Sequence, residues 1–173
     1  MIPYFIFLNN RNILEQVYEA EQDGADAVFL ACSEDPVLLE ARTLVDVPVG
    51  GPAEATFQFA GTLGDRFGIV VPRSEELALL WRDLLKRYEL TGRCVDIVSM
   101  DQPFIETFTE GWEDPENITD VVRDAAQTCV QQGADSIFLS SGGLSAMCTA
   151  AGLTSMNEGS PAGRAIRGLR HAG

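Results

Sequence analysis

The segment Gln22-Asp-Gly-Ala-Asp-Ala-Val-Phe-Leu-Ala-Cys32 returns along the chain as Gln131-Gln-Gly-Ala-Asp-Ser-Ile-Phe-Leu-Ser-Ser141, with six of the eleven positions identical. Each copy places a glycine where a helix ends and follows it with a short, unbroken apolar run. Such a run, bounded by turn residues and too short for a helix, reads as a strand buried in a parallel sheet. Two copies predict an α/β chain built on a duplicated half, with an equivalent loop after each strand. The common helix-then-strand grammar of α/β proteins accounts for Gly-Ala-Asp alone. The match, however, continues through Phe-Leu and into the loop.

The remaining punctuation agrees. A strand is expected over 26–31. A helix is expected from Asp35, with Asp35 as cap and Pro36 in the first turn, to about Leu44. Strands follow at 45–49, 67–71, 95–100 and 135–140. Helices are expected at 53–63, after Ser74-Glu75-Glu76, and from Asn117 or Thr119 to Gln132. The opening Met1-Ile-Pro-Tyr-Phe-Ile-Phe-Leu8 is assigned to the core, since it lacks the basic start and small-residue cleavage site of a signal peptide. From Asp101 to Asp120 there are seven acidic residues and no basic one, so an exposed loop is expected there. Docking of the tail from Gly159 onward is left open.

Charge narrows the partners. Twelve Lys+Arg against 26 Asp+Glu leave a formal charge of −14. That disfavours nucleic acid and anionic membrane surfaces, both of which recruit Lys and Arg. No apolar run reaches the roughly 18 residues of a membrane helix, and a cytoplasmic protein is expected. Cys32, Cys94, Cys129 and Cys148 form no Cys-x-x-Cys pair, and His171 is the single histidine, so no metal site is expected.

In α/β folds the chemistry sits beyond the carboxyl ends of the strands. Cys32 would stand there, just before a helix N-terminus whose N–H groups and dipole lower a thiol pKa. Cys94 and Cys129 are assigned to packing. The second copy offers Ser140-Ser141-Gly142-Gly143, small residues able to hold an anion but without the thiol. No Gly-x-Gly-x-x-Gly or Gly-Lys-Ser/Thr loop marks a nucleotide site.

The strings Ala31-Cys-Ser-Glu-Asp-Pro36, Glu40-Ala-Arg-Thr-Leu-Val-Asp-Val-Pro-Val49, Glu54-Ala and Arg66-Phe-Gly-Ile-Val-Val71 resemble the aspartate/glutamate/hydantoin racemase family. Tyr88-Glu-Leu90 and Gly133-Ala-Asp135 through Gly143 fit the same pattern, and the likeness runs over about residues 11–150. The resemblance implies two pseudosymmetric parallel-sheet α/β lobes that share one active site, with no cofactor. It implies a first lobe of residues 1–66 and 144–173 and a second of 67–143. It also implies two cysteines on opposite faces of the substrate α-carbon, one removing a proton and the other returning one.

Here the second cysteine position is Ser141, an alcohol far less acidic than a thiol, and Cys148, seven residues on, is expected to face elsewhere. The family's opening strand and helix, with an Asn-rich loop, has no counterpart, so the first lobe is expected to be incomplete and N-terminally short. The resulting expectation is a racemase- or isomerase-type enzyme acting at the α-carbon of an amino acid, hydantoin or other small carboxylate or cyclic amide. Cys32 and Ser141 are the catalytic candidates, and Ser33, Ser140, Gly142 and Gly143 the substrate-binding ones. With one thiol, one-sided proton transfer or a decarboxylase-type reaction is chemically easier than racemisation. The alternative is a truncated, non-catalytic homologue that binds a small anion or a partner subunit, because an incomplete lobe exposes a sheet edge and favours a homo-oligomer.

Overall fold

The computed structural model describes residues 3–153, and they form an α/β chain with two parallel sheets. The tail from Gly159 and His171 lie outside the described residues. The chain divides into two compact units, Met1–Thr56 and Phe57–Gly173.

The first unit opens with helix α1 (Pro3–Gln22). Ile13, Leu14 and Val17 share one face of α1 and pack with Leu30, Leu38, Ala41, Val45 and Val49. That core reaches only the second half of the helix. Tyr4, Phe5 and Phe7 are 60–66% exposed, so the opening segment is not the core element expected from its composition. Gly24 ends α1 at φ +88°, with Gly24 N–H donating to Glu21 O and Ala25 N–H to Ala20 O. A residue with a Cβ pays a steric penalty in this left-handed turn.

Strand β1 is only Val28–Phe29, paired in parallel with β2 (Val49–Gly50). The expected run over 26–31 is shortened because its partner ends where Gly51-Pro52 opens helix α3 (Pro52–Leu63). Phe29 is 62% exposed, so β1 is buried on one face and not on two. Between the strands lies α2 (Leu38–Leu44), whose cap is Val37 in the left-handed region and not Asp35.

In the second unit β3 (Phe67–Arg73) is central in the order β4-β3-β5, and both pairings are parallel. Phe67 to Pro72 are all buried, as befits a middle strand covered on both faces. Helix α4 (Glu75–Arg87) starts on Ser74, whose Oγ accepts from Leu77 N–H, and buries Leu77, Trp81, Leu84 and Leu85. Strand β4 spans Cys94–Pro103 and β5 Ser136–Leu139.

The acidic stretch after Asp101 is not a loop. It finishes β4 and forms α5 (Phe104–Thr109), and α6 (Pro115–Gln131) begins within it. Thr107, Gly111 and Ile118 are buried at intervals, while all seven acids face solvent, so the charge marks the outer faces of helices. Asp114 caps α6 through Asn117 N–H, three to five residues ahead of the expected caps. Helix α7 (Gly142–Ala150) packs on α5, α6 and β5.

Candidate active site

Beyond the end of β1 the chain turns through Cys32 to Val37, with Asp35 N–H donating to Cys32 O at 3.1 Å. Cys32 is exposed, whereas Cys129 and Cys148 are buried and Cys94 is half-buried. The Cys32 thiol donates to Glu34 Oε2 at 3.1 Å, and the Ser33 hydroxyl donates to Glu34 Oε1 at 2.9 Å. Ser33 and Cys32 therefore converge on one carboxylate.

This geometry reverses the electrostatics expected from the sequence. Helix α2 begins at Leu38, six residues after Cys32, and the backbone N–H that reaches the sulfur is that of Glu34, within the turn, whose lowering effect is outweighed. Partial desolvation, followed by repulsion from Glu34, pushes the Cys32 thiol up to about 11. Cys32 is thus a protonated thiol at neutral pH and not a helix-stabilised thiolate.

Asp35 has a different task from the one expected of it. It is 2% exposed, and its two carboxylate oxygens accept from Ala53 N–H at 2.8 Å and Glu54 N–H at 2.7 Å. It therefore caps α3 across the unit instead of its own helix. Gly51 permits this, since a Cβ there would lie 2.4 Å from Asp35 Oδ1. Arg42 completes the frame by donating to Val49 O and, through both terminal nitrogens, to the Glu54 carboxylate. That guanidinium holds Glu54 below the usual carboxylate range.

In the second unit Ser140 and Ser141 form the whole connection from β5 to α7. Ser140 is 1% exposed, and its Oγ accepts from the Trp81 indole N–H at 2.9 Å. Its backbone N–H donates to Val70 O, which extends the β3–β5 pairing. Ser141 adopts φ 93°, ψ 127°, sparsely populated for a residue with a Cβ. Its Oγ accepts from Gly143 N–H at 3.2 Å and caps α7. Gly142 is exposed with open space around it, while a Cβ on Gly143 would lie 3.1 Å from the Phe108 ring. Ser140 and Ser141 thus lead directly into the start of α7, a helix not expected from the sequence, with Ser140 turned inward. Cys148 lies in the core cluster with Val70, Leu144 and Met147.

Among the described residues no group of three His, Cys, Asp or Glu is arranged to hold a metal ion, and no helix is long and apolar enough to cross a membrane.

Residues 8–155 match the sequence profile of the family described as Asp/Glu/Hydantoin racemase. The chain belongs to this Asp/Glu/hydantoin racemase family. It is 27% identical over 137 residues to a hydantoin racemase of Rhizobium meliloti, covering 79% of this chain and 55% of the relative. A hydantoin racemase of Paenarthrobacter aurescens is 30% identical over 137 residues, covering 77% and 55%. Among solved structures, allantoin racemase from Klebsiella pneumoniae superposes with a TM-score of 0.71 at 30% identity, over 84% of this chain and 57% of that one. The chain spans about half the length of the curated relatives it matches.

Within this racemase-family chain, sequence reasoning missed the partner of the thiol, Glu34, and the cross-unit-one cap formed by Asp35. The signal for Glu34 was present: a carboxylate two residues from an exposed cysteine reaches its sulfur whenever the intervening backbone turns. Nothing in the local pattern shows that Asp35 looks forward to Ala53 and Glu54, because that pairing depends on how the chain returns.

Proposed function

We propose that this chain carries out racemase- or isomerase-type chemistry without a cofactor, by proton transfer at the α-carbon of a cyclic amide or small carboxylate. Hydantoin- and allantoin-like rings are the first candidates, because the relatives carry those substrates in their names. Cys32 is the proton-transfer group. The observation that carries this reading is the exposed thiol at the carboxyl end of a parallel strand, hydrogen-bonded to a carboxylate, in a chain whose other cysteines are half or fully buried.

In the first unit Ser33 is the substrate-binding candidate beside Cys32; in the second, Gly142 and Gly143 are candidates, the first-turn N–H groups of α7 being suited to an anionic or carbonyl oxygen. Ser141 stands where the family pattern calls for the second thiol, and its alcohol shapes the loop and polarises the substrate. Ser140 contributes by fixing that loop to Trp81. One thiol makes one-sided proton transfer the accessible reaction, and α-proton exchange is its signature.

The test is incubation with D- and L-aspartate, glutamate, allantoin and 5-substituted hydantoins in D₂O, following the α-proton by NMR. Exchange that disappears in Cys32→Ala is the expected result, and no exchange with any of these substrates sinks the reading.

A second reading is favoured by the exposed aromatics Tyr4, Phe5, Phe7 and Phe29: a non-catalytic family member that associates with another subunit through them. A strictly monomeric protein by light scattering, with exchange activity intact, removes it.

A further inference from the structure

Cys32 meets an acid where a proton-abstracting thiolate calls for a cation or a helix N-terminus. The Glu34 carboxylate is fixed at both ends, with Oε2 3.1 Å from Cys32 Sγ and Oε1 2.9 Å from Ser33 Oγ. The charged groups acting on the sulfur are Glu34 and the neighbouring Asp35, both acids. We propose that Glu34 is a positioning residue that keeps Cys32 in its thiol form, so that Cys32 enters the reaction as the proton donor.

This rests on the proposed role of Cys32 and assigns its direction. The carbanion or enolate arises when a solvent base takes the acidic α-proton, and Cys32 then returns a proton to the same carbon. The S–H bond breaks, the electron pair of the substrate carbanion or enolate becomes the new C–H bond, and sulfur is left as thiolate. Beside two carboxylates that thiolate is disfavoured, so it takes a proton from water and the donor is reloaded. The hydrogen bond to Glu34 holds the S–H in a defined orientation between turnovers. A donor that is always loaded suits a chain in which Cys32 is the exposed thiol among the described cysteines.

The experiment measures the rate of Cys32 alkylation by iodoacetamide from pH 6 to 11, reading the Cys32 peptide by mass spectrometry. Glu34→Gln keeps an acceptor for the thiol and removes the charge. It should alkylate about tenfold faster at pH 8 and move the midpoint down by about one unit. Glu34→Asp keeps the charge and should stay near the wild-type midpoint. An unchanged midpoint in Glu34→Gln, or an equal fall in Glu34→Asp, overturns the proposal. Absence of α-proton exchange in the wild type defeats the catalytic reading alone, because the alkylation midpoint still decides whether Glu34 governs the thiol.

Discussion

Replacing Asp35 by alanine removes the cap of α3 and both of its hydrogen bonds. The carboxylate is 2% exposed and accepts from two backbone N–H groups at 2.8 and 2.7 Å. Hydrogen bonds to a charged group are worth about 1.5–3 kcal/mol each, and the two share one carboxylate, so about 3 kcal/mol is the expected combined loss. Asp35 also sits at φ 47°, where an alanine pays up to about 1 kcal/mol more. A loss of about 3–4 kcal/mol is a large part of the roughly 5–15 kcal/mol that keeps a domain folded. At a urea dependence of about 2 kcal/mol per molar, the unfolding midpoint falls by about 1.5–2 M. Asp35→Asn keeps one acceptor but turns an amide donor toward the other N–H, so it should lie between alanine and wild type. Far-UV circular dichroism in urea gives the midpoint, and hydrogen exchange should lose protection at Ala53 and Glu54 first. An alanine variant that unfolds within about 0.3 M of wild type, with those two amides still protected, refutes the cap.

Further outcomes follow from the same geometry. Ser141→Cys supplies the second thiol of the family pattern and should raise interconversion of enantiomers, read by chiral chromatography, for any substrate that exchanges its α-proton. An unaltered variant counts against a part for Ser141 in the reaction. Ser140→Ala strands the buried Trp81 indole N–H and should cost about 1–3 kcal/mol, with a change in tryptophan emission; a cost near zero means the bond is not formed. Stability should fall as pH rises above 9. Burial holds the Cys129 thiol up to about 12 in the folded chain, so the unfolded chain loses that proton first and is favoured increasingly between those values. Cys129→Ala, less stable overall, should show a shallower fall between pH 8 and 10 by urea titration.

Two Asp-Pro dipeptides show why some of this was legible and some was not. Asp114-Pro115 does what the local code says: the aspartate caps the helix whose first turn holds the proline. Asp35-Pro36 carries the same code, yet its carboxylate goes to a helix that starts at Pro52. A cap signal names the chemistry of a side chain, and only the tertiary path decides which helix end receives it. The acidic stretch failed for a related reason. Charge density suggested a loop, while the spacing of Thr107, Gly111 and Ile118, the quantity that fixes which face is buried, was diluted by seven solvent-facing acids.

The repeat shows where duplication ends and chemistry begins. Gly24 and Gly133 both end helices at positive φ, at +88° and +93°, with the same pair of closing bonds from the glycine and the following alanine. The identical residues that follow then diverge. Phe138 packs edge-on against Phe57 and Phe67, while Phe29 is 62% exposed, because β5 lies beside a seven-residue strand and β1 beside a two-residue one. The loops diverge further. Residues 140–141 turn straight into a helix, and the Ser141 hydroxyl is drawn into capping it. Residues 30–37 leave room for Cys32, Ser33 and Glu34 to assemble around a thiol proton before α2 begins. The same helix-stop and strand thus deliver an alcohol committed to the backbone in one copy and a protonated thiol in the other. That inequality is the strongest reason to propose Cys32, and not Ser141, as the proton-transfer group.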